Sequence, residues 1–308
     1  MSLELSSVNG APFTSQIYAH HAPSKTVNYL QDGLMGVDRL RYRGAKAFKT
    51  AIDKQISGFQ LNGAAQYVVF CPVSPKGFEN ISNFRDAHYR GLRFMYIGGE
   101  RTLIIKFGVS LAHELAHRIF VRCFEEKLRE MGLSRELERI GAAGLSGPRS
   151  EKEADSAYKP RSRRFEDDWP TLVIECGVSE SLARLQVDAQ WWLENSAGDV
   201  KTAIVIAVSK AERRVHLEKW ELADEPDPSD PSIFPPTMTA AADIIGEEVR
   251  ISAKGVTKTS FVIDFTKTML CKPPVGRPGG DNFTFSKEEL VELADRVWDA
   301  SQTRPASD

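Results

Sequence analysis

Two acidic residues stand where the pattern around them makes acids unusual. Glu175 closes the apolar run Trp169-Pro-Thr-Leu-Val-Ile-Glu175-Cys-Gly177, and Asp155 lies in the short extended segment Glu153-Ala-Asp155-Ser-Ala-Tyr158-Lys159-Pro160. A carboxylate at the end of a buried strand needs a partner, because an unpaired charge is costly to bury. Alternate residues of an extended chain share a face, so Thr171, Val173 and Glu175 point one way and Leu172, Ile174 and Cys176 the other. By the same alternation Asp155, Ala157 and Lys159 share a face. If the two segments pair antiparallel, Asp155 and Glu175 converge, with Lys159 near them. Two carboxylates so placed suit a hard divalent cation such as Mg²⁺ or Mn²⁺, which prefers oxygen ligands. Such a cation polarises a phosphoryl oxygen and lowers the pKa of a bound water.

A more conspicuous pattern is His113-Glu114-Leu-Ala-His117, on a helix expected from about Val109 to Met131. The two histidines are one turn apart, the spacing with which zinc peptidases hold their metal while the glutamate activates water. The residues that follow, Arg118-Ile-Phe-Val-Arg, carry neither the glycine nor the third histidine of the extended motif. The histidines also flank the apolar stripe of the helix. Three readings stand: a structural role, Glu114 as an accessory metal-site carboxylate, and, ranked last, a zinc peptidase.

The elements that must carry these residues follow from periodicity. Helical spacing from Ser24 to about Gly58 is interrupted by Gly33, Gly36 and Gly44, which predicts two helices or a broken one. Its basic residues, Arg39, Arg41, Arg43, Lys46 and Lys49, read first as a solvated face and second as one that faces phosphate. Gln66 to Pro72 reads as a strand, and Leu92–Ile97 with Arg101–Phe107 as a hairpin around Gly98-Gly99. A helix is predicted from Ser179 to about Asn195, capped by Ser179 or Ser181, with Leu182, Leu185, Ala189, Trp192 and Leu193 on one face and Gln186 on the same stripe. Gln186 there needs a partner, or else reaches the site; Arg184 and Asp188 lie off that stripe. Lys201–Val208 reads as a strand covered on both faces and Arg214–Trp220 as a half-exposed one. Ser260–Phe265 is a further strand, and Ser286-Lys-Glu-Glu289 has the spacing of a capping box that opens a last helix to about Ala300.

The totals narrow the class. The 308 residues are 42% hydrophobic and 27% charged, with a net charge of −2, which suits a globular protein with a substantial core. No run approaches the length of a membrane helix, and the start lacks the features of a secretory leader. The four cysteines are widely spaced, as for free thiols rather than a disulfide framework. These features predict an intracellular protein, cytoplasmic or nuclear, with no membrane partner. The basic run Lys159-Pro-Arg161-Ser-Arg163-Arg164 could contact nucleic-acid phosphates, act as a nuclear-localisation patch, or be a solvated loop.

Taken together, Lys152-Glu-Ala-Asp155-Ser-Ala-Tyr-Lys-Pro160, Trp169 to Leu182, Asp188-Ala-Gln-Trp191-Trp192-Leu, Val200-Lys201 and Glu218-Lys-Trp220 resemble a family of uncharacterised fungal proteins. That family is similar to the PD-(D/E)XK, restriction-endonuclease-like nucleases. The resemblance is dense from about Arg93 to Trp220. It implies an α/β (α+β) fold, with a central mixed sheet flanked by helices and a core ordered helix, three-stranded meander, helix, strand. It also implies Mg²⁺- or Mn²⁺-dependent phosphodiester hydrolysis, a hydrolase acting on nucleic acid, DNA binding included. Asp155 falls on the family aspartate, Glu175 on its second acid, and Glu114 on an accessory helical glutamate. Metal would be held by Asp155, Glu175 and Glu114 with the backbone carbonyl of Cys176. Arg161, Arg163, Arg164 and Gln186 would contact nucleic acid. The sequence departs from the family at Ala154, where a proline is usual, and at Gly177, where the family has a lysine that activates or positions water. Lys159 is then the candidate replacement, with Lys201 a poorer one. The alternative is a non-catalytic nucleic-acid or protein interaction module on the same fold. The expected division is a disordered segment over 1–23, a helical and β-hairpin extension over 24–108, the nuclease-like core over 109–222, a Pro/Asp-rich linker or loop over 223–237, a C-terminal strand and helix over 238–300, and a tail over 301–308.

Overall fold

A computed structural model describes residues 27–300, except 63–64, 90, 108–110, 141–143, 179–180, 228–229, 246–247, 254–255, 258–259 and 274–280. The expectations for residues 1–23 and 301–308 and for a Ser179 cap lie outside the described residues. The first part of the chain forms β1 (Arg39–Leu40), α1 (Ala45–Asn62), β2 (Tyr67–Phe70), α2 (Pro75–His88) and the hairpin β3 (Leu92–Ile97) to β4 (Thr102–Phe107). Next come α3 (Leu111–Glu130), β5 (Leu137–Arg139), β6 (Gly144–Ser146), β7 (Ser150–Glu153), β8 (Ser156–Pro160), β9 (Leu172–Val178), α4 (Leu182–Asn195), β10 (Thr202–Ser209) and β11 (Arg214–Leu222). The remainder is β12 (Pro236–Ile245), β13 (Glu248–Ala253), β14 (Val256–Thr257), β15 (Ser260–Ile263), α5 (Phe265–Met269), β16 (Phe283–Ser286) and α6 (Lys287–Ala300).

The strands form a six-stranded sheet, β1-β2-β4-β3-β7-β6, an eight-stranded sheet, β14-β13-β12-β11-β10-β9-β8-β5, and the hairpin β15-β16. Within the larger sheet β5, β8 and β9 are successive antiparallel neighbours, and β10 joins β9 in parallel after α4. With α3 in front, this is a mixed α/β fold whose larger-sheet elements come in the order helix, three antiparallel neighbours, helix, strand. The excursion through β6 and β7 visits the smaller sheet, so the chain passes from one sheet to the other at Ala154-Asp155.

Burial explains the layering. One face of the larger sheet (Leu172, Ile174, Cys176, Ile204, Ile206) packs on α3 and α6 through Phe120, Phe124, Leu293 and Val297. The opposite face (Ala203, Val205, Ala207) meets Leu185 and Ala189 of α4. The smaller sheet turns Val68, Phe70, Phe94 and Ile105 toward Phe48, Ile52 and Ile81 of α1 and α2. Its other face joins Trp191 and Trp192 of α4 through Val69, Met95 and Ile104. Helix α4 is therefore covered on two sides, which an amphipathic surface helix is not.

Several expectations change for local reasons. Of the two helices or broken helix expected over 24–58, only α1 forms among the described residues; residues 27–44 make turns and β1, where Gly33, Gly36 and Gly44 take φ of 70°, 74° and 96°. Helix α2 escaped the periodicity reading although Ser74 caps it, accepting from the Gly77 N–H at 3.1 Å, with Pro75 in the first turn. The Pro/Asp-rich stretch is the loop that joins the antiparallel pair β11 and β12. The capping box forms as expected: the Ser286 N–H donates to Glu289 Oε2 at 2.7 Å and the Glu289 N–H to Ser286 Oγ at 3.3 Å. Among the described residues no helix is long and apolar enough to cross a membrane.

Candidate functional site

Strands β8 and β9 pair antiparallel with Ser156 opposite Ile174, so Asp155, one residue before β8, stands opposite Glu175. The Cys176 N–H donates to Asp155 Oδ2 at 2.8 Å, which ties the acid to the neighbouring strand just beyond the ladder. Both acids are buried, Asp155 at 6% and Glu175 at 0% exposure. Glu175 points from the larger sheet toward α4, where Trp192 Nε1 donates to its Oε1 at 2.8 Å.

The cation between them is Lys106, from β4 of the smaller sheet. Its Nζ contacts Asp155 Oδ2 at 2.7 Å and also Glu175 Oε2, and the residue is 3% exposed. Lys152 of β7 reaches Glu175 Oε1 at 2.9 Å and Asp188 Oδ1 at 3.4 Å. Arg184 completes the row at 3.2 Å from Asp188 Oδ1, and the Tyr67 hydroxyl donates to Asp188 Oδ2 at 3.0 Å. Arg93 Nε lies 3.6 Å from Asp155 Oδ1. Three carboxylates thus interleave with three buried cations and Arg93 across the seam between the two sheets.

Electrostatics lock the protonation states. Burial alone would strip the proton from Lys106, but Asp155, Glu175 and Asp188 outweigh it and hold its pKa above the ordinary lysine value. Burial likewise works against the Asp188 carboxylate, and Lys152, Arg184 and Lys106 reverse this and lower its pKa. Burial followed by Asp188 and Glu175 pushes the Tyr67 phenol well up. Burial and Asp155 do the same to the Cys176 thiol. Lys106 is therefore held as an ammonium rather than a general base, and Asp188 as a carboxylate.

Gly177 has a packing reason. A Cβ there would come within 2.6 Å of Gln66 Oε1 and 2.9 Å of Leu185 Cδ1. The space beside it belongs to the buried Gln66 amide, which donates to the Phe107 carbonyl at 3.0 Å and accepts from the Val178 N–H at 3.1 Å, joining the two sheets. No lysine side chain fits where the resemblance wanted one; the ammonium comes instead from Lys106.

The other candidates are dispersed. Lys159 shares the strand face of Asp155 but is four residues on, about 13 Å along an extended chain. Its Nζ donates to the Phe165 carbonyl at 2.6 Å. Lys201 begins a strand parallel to β9, far from Glu175, and donates to the Gly198 carbonyl at 2.5 Å. Glu114 is half-exposed and pairs with Arg118 at 2.7 Å. Gln186 donates to Glu218 Oε1 at 2.8 Å, away from the acids. Arg163 pins a loop through the carbonyls of Trp169 and Pro170 and the Asp199 carboxylate at 2.8 Å, whereas Arg161 and Arg164 are exposed. His117 Nε2 is 2.9 Å from Ser156 Oγ, and the side chain of His113 is outside the described residues.

The donor set does not fit a divalent cation. The oxygens of Asp155 and Glu175 that face each other already hold Lys106, and the other oxygen of Glu175 takes Trp192 and Lys152. The adjoining cavity, lined by Tyr67, Arg93, Lys106, Lys152 and Asp188 among others, measures about 10 Å³, room for one water at most. Among the described residues no three His, Cys, Asp or Glu side chains are grouped to hold a metal.

The pattern missed Lys106, Lys152, Arg184 and Asp188. Lys106 had a signal of its own, a lysine inside the apolar run Leu103-Ile-Ile-Lys106-Phe107, since a charge there must be paired. Arg184 and Asp188 were set aside because they lie off the main stripe of a helix that buries two faces.

No protein-family model matches the chain, and no curated protein matches it. Among solved structures, the chain is similar to a protein from Anabaena variabilis ATCC 29413 described as a candidate nuclease belonging to DUF820. The identity is 12%, the overlap covers 65% of this chain and 90% of that one, and the TM-score is 0.37, too low to carry a functional argument.

Proposed function

We propose that this protein is a non-catalytic interaction module built on a restriction-endonuclease-like core, in which the acids of a hydrolytic centre serve as an internal ion-pair lock between two sheets. The observation that carries this reading is the Lys106 ammonium seated between Asp155 and Glu175 in a site with both acids almost wholly buried. A phosphodiester would have to reach carboxylates that solvent does not reach. A divalent ion would have to displace a lysine whose charge three carboxylates hold in place. Breaking such buried pairs is costly, about 3–5 kcal/mol for loss of one partner.

The competing reading, metal-dependent phosphodiester hydrolysis, draws its support from the register of Asp155 opposite Glu175 within the helix, meander, helix, strand order. One experiment separates the two. Plasmid, single-stranded DNA and RNA are incubated with the full chain in Mg²⁺ or Mn²⁺, beside Asp155→Asn and Glu175→Gln. The lock reading expects no cleavage above background. Metal-dependent cleavage by the wild type that both substitutions abolish would replace it with the hydrolytic reading.

A further inference from the structure

We propose that the loop presenting Phe165 is a binding site for single-stranded nucleic acid, with the Phe165 ring stacking on a base and Arg161 and Arg164 holding the flanking phosphates. Three observations converge on it. The Phe165 ring is 72% exposed, an aromatic held in water with nothing gained from packing. Its backbone is nevertheless clamped. The carbonyl accepts from Lys159 Nζ at 2.6 Å and from the Asp168 N–H at 3.2 Å, and the Phe165 N–H donates to Asp168 Oδ2 at 2.8 Å. Lys159 is 7% exposed, so a buried ammonium is committed to fixing the main chain beneath this ring. Arg163 anchors the same loop to the main chain at Trp169 and Pro170. A rigid support with a free ring loses little conformational entropy on binding.

The third observation is the groove beside it. It holds about 520 Å³ and is lined by Glu136, Glu138, Lys159 and the segment 161–164. That volume is in the range of small-molecule sites, about 300–1,000 Å³, and accommodates a nucleotide. Guanidinium groups suit phosphate oxygens, and an aromatic ring accepts any base face. Glu136 and Glu138 repel phosphate from their wall, so the backbone runs on the side of Arg161 and Arg164 and a base faces the carboxylates, which accept from exocyclic amino groups. A duplex buries its base faces in the stack and cannot offer one to Phe165. The assignment is independent of the ion-pair lock, whose Asp155 lies just before β8 and ten residues ahead of Phe165.

The test is fluorescence anisotropy of a labelled 20-nucleotide oligo-dA, whose bases carry an exocyclic amino group, and of a duplex of the same length, titrated with the full chain at several salt concentrations. Binding of the single strand should be tighter than of the duplex and weaken with salt. Phe165→Ala should lower affinity about tenfold, and Phe165→Trp should keep it, as stacking requires. Arg161→Ala combined with Arg164→Ala should weaken binding and reduce the salt slope by about 1.4. Thermal unfolding should not move in any variant, since these side chains stand in solvent. The proposal is overturned by absence of binding at low salt, by a duplex bound as tightly, or by wild-type affinity in Phe165→Ala or Phe165→Leu. Phe165-dependent uptake on anionic phosphatidylserine vesicles in place of oligonucleotide would overturn it in favour of a membrane surface.

Discussion

Removing the ammonium of Lys106 leaves Asp155 and Glu175 as neighbouring buried anions, and this is the sharpest test available at the scale of one residue. Lys106→Met should destabilise the fold by about 3–5 kcal/mol, measured by urea unfolding, because the partners keep their desolvation cost without the attraction. Neutralising them as well, with Asp155→Asn and Glu175→Gln, should restore a large part of the loss. A Lys106→Met protein as stable as the parent would show that the pairing is not holding the sheets. Gly177→Ala tests the tight approach two residues further along the same face of the strand. The added Cβ meets Gln66 Oε1 and Leu185, and a clash of this kind costs about 1–3 kcal/mol. Gln66→Ala should relieve part of that penalty, so the double substitution should be less destabilising than the sum of the singles. Strict additivity would refute the contact as its cause.

At the scale of elements, β11 and β12 are joined by a cross-strand charge cluster. His216 lies opposite Asp243, with Nδ1 at 2.9 Å from Asp243 Oδ1 and Nε2 at 3.0 Å from Glu218 Oε1. Burial disfavours the imidazolium, but hydrogen bonds to Asp243 and Glu218 prevail and push the pKa up to about 9 from 6.5. Arg214 lies 3.9 Å from the same Asp243 oxygen. Because the folded-state value is the raised one, the stabilisation is complete below about pH 6.5 and is lost as pH rises through about 9. The shift corresponds to about 3 kcal/mol at most. Urea midpoints taken from pH 6 to pH 10 should fall across that window for the wild type and stay nearly flat there for His216→Gln. An equal fall in both proteins would assign the pH dependence elsewhere. Helix α4 makes a related point. Its face of Leu185, Ala189 and Trp192 was legible as a stripe, but Arg184, Asp188 and Trp191 turn inward too, because a second sheet lies over the helix. A periodicity argument assumes one buried face and assigns the rest to solvent.

For the whole molecule, the proposed ion-pair lock predicts a stability that does not depend on divalent metal. The melting temperature should be the same in excess EDTA, Mg²⁺ and Mn²⁺. A bound cation at 100 times its Kd would add about 2.7 kcal/mol to the folded state, so a rise on adding Mn²⁺ that Asp155→Asn removes would count against the lock. The Lys106→Met variant sharpens this, since only there are the two carboxylates released from their ammonium.

Alternation along single strands and the spacing of caps were decided by the sequence alone. The strand faces that carry Asp155 and Glu175, the hairpin β3–β4 and the capping box at Ser286-Glu289 follow from local patterns, whereas the antiparallel pairing of the two acidic segments was a condition that the fold met. Tertiary structure alone decided what stands between the acids. Lys106 and Lys152 come from strands of another sheet, and Arg184 from a helix face with no reason of its own to be buried. Charge pairing in a core depends on which surfaces the layers bring together, and contacts between Lys106 and Glu175, far apart along the chain, leave no periodic trace in it.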